Sequence, residues 1–534
     1  MTSHQILIRT KEGSGVLSWN GTTLNQPPHY PFIPNSTDCS WSSDGSTLFI
    51  STNDTLHVFS GTSLSPTASI SLPNLATFSP SPSGAYVTTL CRPSTDKPAK
   101  SDKNLRIYRI SDSTPIYSSH LEHHNQDKWP LIKYSADERF ALRVLPSSIQ
   151  FLSLSSSEPL SRVIYTYEQA NIFTVDISPS FGAYHLFVFL KQPQQANHTL
   201  VVLSIPSHLA LTGVGPTVLF RQVVGACSSI SVKYGPVINN LVNYAVVLLV
   251  FDVDRTNASY HGTVRSLYVP LIMNKERGKE PKRLSLPEGP THDVSVRRNG
   301  DFIVLAGYNP CVGYVFDCQG NRKPNQLPQR NQSQLSFSPG GQLLAVSGFG
   351  NLRSGFIFYK FTNDHFNKRI DCPSIENITT WEWLNDGSGI VMATTCPRLR
   401  VGNQVSILGN NGALLSTIEY DVLYCAVPRP PRGDASKVID TLLPLSNEVA
   451  KQHQVETRAY VPPHLRKSVA ERTTTSLSDL SGEKVIVPPS GSVGGGGRLP
   501  PGVTREYLQS NKGGKKKKEK KKEKKEAFVI EADF

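Results

Sequence analysis

The side chains of this sequence that could carry out chemistry do not follow the spacing of the common catalytic motifs. There is no Gly-x-Ser-x-Gly elbow for a nucleophilic serine and no Gly-Lys-Ser/Thr loop for nucleotide hydrolysis. Residues 348–355 (GFGNLRSG) come nearest to a dinucleotide-binding loop, but Arg353 stands at the place of its third glycine, between two strands rather than before a helix. We therefore expect neither an enzyme nor a bound cofactor.

Metal binding and acid-base chemistry have weak candidates. The one histidine cluster consists of His120, Glu122, His123 and His124. A metal site needs ligands that converge from a hairpin or a helix, whereas this cluster lies in a polar loop, so we predict no metal site. The carboxylates that could meet at the centre of the fold are Asp176, Asp252 and Asp254. Aspartates at such positions more often accept hydrogen bonds from backbone amides.

Basic residues give a stronger signal, which favours a polyanionic partner such as RNA or a ribosome. The formal net charge is +13, and residues 512–534 contribute +5 of it through ten lysines and five carboxylates. The lysines are Lys512, Lys515, Lys516, Lys517, Lys518, Lys520, Lys521, Lys522, Lys524 and Lys525. Lysines that neutralise phosphates release condensed counterions, so we predict that this block binds RNA. A solubilising tail and a nuclear import signal are the alternatives.

Two further sets of residues are binding candidates. Arg353, Arg398 and Arg400 lie in loops and are predicted to contact phosphate, with ion pairs to neighbouring sheets as the alternative. Residues 460–466 (YVPPHLR) are predicted to dock into a groove of a partner, because the two prolines lower the ordering cost. The partner-binding residues are then Tyr460, Pro462, Pro463, Leu465 and Arg466. A simple spacer is the alternative for this segment.

Cysteine usage and hydropathy indicate the compartment. The eight cysteines include no C-x-x-C pair and stand mostly beside apolar strands, which indicates buried free thiols in a reducing environment. The N-terminus lacks the basic stretch and apolar core of a secretory signal. The longest apolar run, 241–253, is too short to span a bilayer and is expected to be a buried strand. We expect a cytoplasmic protein with no membrane contact.

One pattern recurs eight times between residues 39 and 420: an apolar strand, a turn containing Gly, a second apolar strand, and a third strand ending in aromatics. The first strands lie near Cys39, Leu75, Ile132, Phe173, Ile230, His292, Leu335 and Ile378. At about 36 to 62 residues, the spacing of these strands begins at the period of propeller blades and is stretched by loops elsewhere. The sequence therefore predicts an all-β fold, a β-propeller of eight or nine blades.

A ninth blade is expected to combine both ends of the propeller, because residues 4–21 form only part of a blade. Residues 421–428 (DVLYCAVP) offer the missing strand, and joining them to the first strands would remove exposed sheet edges. We predict a propeller over residues 1–428 and a linker with short helices over 429–456. Residues 457–534 are predicted to be a largely disordered basic tail, since their Pro/Gly/Ser/Thr-rich composition cannot form a core.

Three stretches resemble the eukaryotic translation initiation factor 2A family: residues 348–359, 379–415 and 459–466. In the second stretch a tryptophan, an Asn-Asp-Gly turn and the run CPRLRV follow one another in the family's order. The resemblance implies a nine-bladed WD-type propeller that binds the small ribosomal subunit and helps to deliver initiator methionyl-tRNA without GTP. The tail departs from the larger members of the family, which end in a longer helical region of mixed charge.

We therefore predict a non-enzymatic translation initiation factor whose partners are the small ribosomal subunit and initiator tRNA, with mRNA and other initiation factors as further candidates. The alternative is a propeller scaffold in another ribonucleoprotein or multi-protein complex. The propeller subunit of the multi-subunit initiation factor three is a rival that would need an RNA-recognition module before its ring. A propeller enzyme would need convergent carboxylates or a metal at the centre.

Overall fold

A computed structural model describes most of the chain up to residue 445. The described residues are 3–93, 103–121, 129–154, 163–191, 197–207, 214–251, 263–272, 280–348, 352, 355–362, 365–372, 375, 377–431 and 438–445. They contain 39 β-strands and no α-helix. Within these ranges, no helix has the length and apolar content needed to cross a bilayer.

Nine sheets of four or five strands, which we call blades 1 to 9, form the fold, and a tenth sheet is a two-stranded hairpin. Blade 1 begins with β1 His4–Thr10, β2 Gly13–Trp19, β3 Leu24–Asn25 and β4 Phe32–Pro34. Blade 2 has β5 Asp38–Trp41, β6 Thr47–Ser51, β7 Thr55–Ser60 and β8 Ser65–Ser71. Blade 3 has β9 Leu75–Pro80, β10 Tyr86–Cys91, β11 Leu105–Arg109 and β12 Thr114–Ser119. Blade 4 has β13 Ile132–Tyr134, β14 Phe140–Val144, β15 Ser148–Ser153 and β16 Val163–Glu168.

The later blades repeat the same order, and blade 6 carries an extra hairpin. Blade 5 has β17 Ile172–Ile177, β18 Tyr184–Leu190, β19 His198–Ile205 and β20 Thr217–Gly225. Blade 6 has β21 Ser229–Tyr234, the hairpin of β22 Val237–Ile238 and β23 Leu241–Val242, then β24 Tyr244–Phe251, β25 Thr263–Pro270 and β26 Lys282–Arg283.

The chain then completes the ring and returns to its beginning. Blade 7 has β27 Thr291–Val296, β28 Phe302–Ala306, β29 Val312–Phe316 and β30 Arg322–Gln326. Blade 8 has β31 Gln334–Phe337, β32 Leu343–Gly348, β33 Gly355–Thr362 and β34 His365–Cys372. Blade 9 has β35 Thr380–Trp383, β36 Gly389–Thr394, β37 Asn403–Gly409 and β38 Leu414–Tyr420. The last strand, β39 Leu423–Pro428, joins blade 1.

Blades 2 to 9 are antiparallel meanders, and in blades 2, 3, 7, 8 and 9 a glycine ends the tight turn between the first two strands. In blade 8 the amide of Gly341 donates to the Ser338 carbonyl at 2.9 Å, and the φ of Gly341 is 74°. This left-handed conformation suits glycine, which has no Cβ to clash with the backbone. We call the end of the propeller that carries these first turns the turn face. The opposite end, with the loops between the second and third strands, is the loop face.

The core lies between neighbouring blades rather than in one central mass. Phe337, Leu344 and Ile357 of blade 8 are buried against Ile303 and Leu305 of blade 7. Burial of one such side chain contributes about 1.5–3 kcal/mol. The alternation of apolar residues in the blade strands therefore holds each sheet to the next and positions the loops at both faces.

Hydrogen bonds between first strands add a second link between blades 7 and 8. The Asp293 carboxylate accepts a hydrogen bond from the Leu335 amide at 3.0 Å, and the Ser295 hydroxyl oxygen accepts one from the Phe337 amide at 3.0 Å. These bonds satisfy backbone amides on strands that face the centre of the ring, which would otherwise be unpaired.

Blade 1 confirms the predicted pairing of the two ends of the propeller. β1 pairs with β39 in antiparallel register, with Leu7 opposite Val427 and Ile8 opposite Ala426. The ring therefore closes through backbone hydrogen bonds, and β1 is paired on both sides, with β2 and with β39. The predicted all-β propeller fold is confirmed with nine blades.

Arg429 fixes the chain where it leaves the closed blade. Its guanidinium is buried, donates to the carbonyl of Gly45 at 2.6 Å and that of Gly61 at 2.9 Å, and also donates to the Gln5 side chain. It lies 5.0 Å from the ring centre of Trp41. One side chain thus joins blade 1 to two turns of blade 2 on the turn face.

Candidate nucleic-acid interface

Two of the arginines predicted to bind phosphate lie on one ordered loop of blade 9. Arg398 and Arg400 are both exposed in the loop between β36 and β37, on the loop face. The loop is held by hydrogen bonds from the Leu399 amide to the Thr395 carbonyl at 3.0 Å and from the Asn403 side-chain amide to the Leu399 carbonyl at 2.9 Å. We call residues 396–402 the arginine loop.

The arginine loop is attached to the strand that closes the ring. The Cys396 amide donates to the Leu423 carbonyl at 2.7 Å, and the Leu423 amide donates to the Asn403 side chain at 2.9 Å. Neither arginine forms an ion pair with a carboxylate among the residues the structure describes. Both charges are therefore presented to solvent on a fixed backbone, and the alternative of ion pairs to neighbouring sheets receives no support from the described carboxylates.

Blade 1 places a cation and an aromatic ring beside this loop. The Arg9 guanidinium lies 4.7 Å from the ring centre of Tyr424, the residue that follows Leu423, and donates to the Thr37 carbonyl at 2.7 Å. Tyr424 is 37% exposed. Sequence reasoning missed both residues, because they come together only when β39 pairs with β1. The composite blade predicted from the sequence was the one signal that could have found them.

The remaining predicted binding residues lie outside the described residues. These are Arg353, all ten lysines between residues 512 and 525, and the five residues of the 460–466 segment. In the histidine cluster, His120 is described, whereas Glu122, His123 and His124 are not. Among the predicted RNA-binding residues, the structure therefore brings together Arg398 and Arg400.

The sequence predicts a linker with short helices over residues 429–456. Of this range the structure describes 429–431 and 438–445, which contain no helix and lie against the turn face. We call residues 438–445 the strap. Its Thr441 amide donates to the Asp386 carbonyl at 2.7 Å, and its Val438 carbonyl accepts a hydrogen bond from Arg298 at 2.7 Å. The strap therefore contacts blades 7 and 9.

Asp440 is the buried centre of the strap. Its carboxylate accepts hydrogen bonds from the Ser338 hydroxyl at 2.6 Å and from the amides of Gly340 and Gln342, both at 2.8 Å. One carboxylate that receives three donors fixes the first turn of blade 8. The strap thereby joins blade 8 as well.

Carboxylates also line the first strands, which face the centre of the ring. Burial raises the pKa of four of them: Asp38, Asp176, Asp293 and Glu382. Asp176 accepts a hydrogen bond from the Ile177 amide at 2.9 Å, and Asp293 accepts one from the Val294 amide at 2.8 Å. These two side chains therefore cap backbone amides. Asp252 and Asp254 lie outside the described residues.

No catalytic or metal centre emerges in the part of the chain that the structure describes. No three histidine, cysteine or carboxylate side chains there could share a metal ion. All eight cysteines are free, and burial raises the pKa of Cys227 and Cys311 to about 11 and that of Cys372 to about 12. Thiols with such pKa values stay protonated near neutral pH and are poor nucleophiles.

Nine radial sheets closed by the pairing of β1 with β39 define a nine-bladed β-propeller. Residues 236–426 match the sequence model of the family described as "Eukaryotic translation initiation factor eIF2A". The resemblance predicted from the sequence is confirmed: over these residues the chain is similar to the eukaryotic translation initiation factor 2A family.

Relatives in two yeasts carry that family name. The chain is 25% identical to eukaryotic translation initiation factor 2A of Saccharomyces cerevisiae over 86% of this chain and 75% of the relative. It is 27% identical to that of Schizosaccharomyces pombe over 66% of this chain and 57% of the relative, less than two thirds of the relative's length.

A solved structure shares the fold. A crystal structure described as that of "the eukaryotic initiation factor" superposes with a TM-score of 0.65, at 21% identity, over 81% of this chain and 100% of that chain. At this identity the superposition supports the fold and carries no statement about partners.

Proposed function

We propose that this protein is a non-enzymatic, cytoplasmic translation initiation factor that binds the small ribosomal subunit and promotes delivery of initiator methionyl-tRNA without GTP. The observation that carries the proposal is the match of residues 236–426 to the initiation factor family, since it includes blades 7 to 9 and the arginine loop. The relatives named as initiation factors give it further support.

The physical part of the proposal is a rigid docking body with exposed cations. Between-blade packing holds the nine sheets, and the loop face presents Arg398 and Arg400 to solvent without a described carboxylate partner. Guanidinium groups bind phosphate through paired hydrogen bonds, so this loop suits an RNA backbone. We assign it to ribosomal or transfer RNA.

The chain after the strap belongs to the same proposal. The ten lysines of residues 512–525 would add attraction to phosphate that depends strongly on salt and little on sequence. Residues 460–466 would dock on a protein of the initiation machinery, and mRNA and other initiation factors are further partners. We retain the propeller over 1–428, the linker over 429–456 and the basic tail over 457–534 as the proposed division of the chain.

Sedimentation through a sucrose gradient tests the function. The full chain should migrate with purified small ribosomal subunits, and it should increase retention of initiator methionyl-tRNA on them when GTP is omitted. A propeller scaffold of another complex would stay at the top of a gradient that contains only ribosomal subunits. Absence of co-migration at low salt would refute ribosome binding.

A charge-removal pair tests the arginine loop. The double variant Arg398→Gln, Arg400→Gln should weaken co-migration and lower the slope of log K against log salt by roughly 1.5, at about 0.7–0.9 per lost phosphate contact. Its matched control is Arg139→Gln, Arg322→Gln, which removes two exposed arginines from the turn-face end of blades 4 and 7. If both double variants reduce co-migration and its salt dependence equally, the arginine loop is not part of the RNA interface.

A further inference from the structure

A cleft of about 550 Å³ opens on the loop face where blades 1 to 4 meet. Its wall includes Arg9 of blade 1, Asp38 of blade 2, and Leu90, Arg92 and Asn104 of blade 3. Trp129, at the connection from blade 3 to blade 4, completes the wall. The volume lies within the roughly 300–1,000 Å³ range of small-ligand sites in proteins.

Backbone and side-chain hydrogen bonds hold this wall in place. The Asn104 side chain donates to the Leu121 carbonyl at 3.0 Å and accepts from the Leu121 amide at 2.8 Å. The Arg92 amide donates to the Asn74 carbonyl at 2.8 Å, so the backbone that carries this guanidinium is tied to blade 3. A wall fixed before binding lowers the entropy cost of holding a ligand.

The charged groups of the wall have unused hydrogen-bonding capacity. Among the residues that the structure describes, the exposed Arg92 forms no ion pair, and the Arg9 guanidinium donates through Nη1 alone, to the Thr37 carbonyl. One oxygen of Asp38 accepts the Cys39 amide at 2.8 Å, and no described group bonds to the other oxygen. The cleft therefore offers guanidinium donors for an anion and a carboxylate acceptor for an N–H or O–H group.

Guanidinium donors, a carboxylate acceptor and an indole ring in one cleft favour one class of ligand. A simple anion would gain from the arginines but would be repelled by Asp38, and an acidic peptide would meet the same repulsion. A nucleotide carries a phosphate, polar N–H and hydroxyl donors, and a flat base that can stack on an indole such as Trp129. Its three parts match the three kinds of group in the wall.

We propose that this cleft binds one unpaired nucleotide of an RNA chain, with the phosphate at Arg9 and Arg92, the base against Trp129, and Asp38 accepting a base amino group or the ribose 2′-hydroxyl. The assignment deepens the proposed function, on which it rests, by locating a contact to single-stranded RNA in a cleft that includes Arg9 but neither Arg398 nor Arg400. Since DNA lacks the 2′-hydroxyl, an Asp38 contact to the ribose favours RNA.

Photo-crosslinking of the full chain to a short single-stranded RNA that contains 4-thiouridine tests the assignment. Peptides that contain residues 76–93 or Trp129 should carry the crosslinked nucleotide. Arg92→Gln should reduce their yield at least about fivefold at moderate salt, while crosslinks to the lysine block remain and provide an internal standard. Asp38→Asn should reduce the ratio of crosslinking yield with RNA to that with DNA of the same sequence.

Arg139→Gln, an exposed arginine on the turn face of blade 4, is the matched control, and its cleft crosslinks should be unchanged. Unchanged melting temperatures would show that the variants are folded. The assignment is wrong if the cleft peptides carry no nucleotide, if Arg92→Gln leaves their yield unchanged, or if an acidic peptide competes better than unlabelled RNA.

Co-migration with small subunits, measured in the same samples, separates this assignment from the proposed function. Co-migration without cleft crosslinks refutes the cleft and leaves the function standing. Cleft crosslinks without co-migration support the cleft and refute the function. If neither co-migration nor cleft crosslinks are observed, the proposed function and the cleft assignment are both wrong.

Discussion

Asp440 and Ser338 are far apart in the chain, yet the carboxylate of the first accepts a hydrogen bond from the hydroxyl of the second at 2.6 Å. The contact joins the strap to the first turn of blade 8, and the amides of Gly340 and Gln342 donate to the same carboxylate. The folded body of this protein therefore extends at least to the strap, beyond the strand that closes the ring.

We expect Asp440→Asn to lower the free energy of unfolding by about 2–4 kcal/mol. The amide side chain keeps the volume but replaces one acceptor oxygen by a donor, so the amide of Gly340 or that of Gln342 loses its acceptor. Thermal or chemical denaturation of the full chain measures the loss. Asp112→Asn is the matched control, because Asp112 pairs with Arg109 at the surface and should matter much less. A similar small change in both variants would show that the strap adds no stability.

A double-mutant cycle can show that Gly387 is required for the position of the strap. The φ of Gly387 is 65°, and a Cβ there would lie 2.2 Å from an Asp440 oxygen. Gly387→Ala should therefore cost more than Gly182→Ala, whose φ is 86° but whose added Cβ meets nothing within 4 Å. The Gly182→Ala control measures the cost of placing a Cβ on a residue with positive φ, about 1–2 kcal/mol. In an Asp440→Ala background the excess should shrink, because only the Cβ of residue 440, 3.1 Å from the added Cβ, remains. Strict additivity would contradict the contact.

Mild oxidation should join Cys39 and Cys425. Their sulfur atoms lie 3.7 Å apart, on β5 of blade 2 and on β39 of blade 1. The hydrogen bond from Cys39 lowers the pKa of Cys425, which favours the thiolate that attacks an oxidised partner. Non-reducing peptide mapping after diamide treatment should find the 39–425 pair. The pair should be lost in Cys425→Ser and kept in Cys318→Ser, which removes an exposed thiol.

The stability of blade 5 should fall in mild acid because of His185. Burial lowers the pKa of His185 to about 4, from 6.5 in an exposed histidine. Between these values the unfolded chain binds a proton that the folded protein does not, so folding stability decreases as pH falls from 6.5 toward 4. The loss attributable to this group is about 2 kcal/mol between pH 7 and pH 5.

The buried carboxylates at the centre of the ring act in the opposite direction, so the His185 effect must be isolated by difference. Burial raises their pKa, and protonation of these groups favours the folded state as pH falls. Melting temperatures of the wild type and His185→Gln should be compared from pH 7 to pH 5. The advantage of the wild type should shrink with acid, and a constant difference would contradict the assignment.

Local sequence patterns were sufficient to predict the blades. Period-two apolar strands and turns such as the one at Gly341 depend on neighbouring residues, so the first strands near Leu75, Ile132 and Leu335 were predicted correctly. The run from 241 to 253 was expected as one strand. It begins in the hairpin strand β23 and continues in the buried strand β24, because Asn243 interrupts the pairing.

Contacts between distant parts of the chain could not be predicted in the same way. The strap looks like a linker because Asp440 stands among residues with no repeated pattern, and its partners at Ser338 and Gly340 are known only from the fold. The cleft wall is assembled from Arg9, Asp38 and Trp129 by the closed ring. Exposure of Arg398 and Arg400 was predictable, since polar loop residues lie at the surface.

Because β1 pairs with β39, blade 1 can be completed only after nearly the whole propeller has been synthesised. When a ribosome makes the chain, the residues of β1 emerge first and wait until residues 423–428 have left the exit tunnel. At about 5–20 residues per second that delay is on the order of tens of seconds. During it the blades already made have an open edge that a chaperone or another nascent chain can occupy.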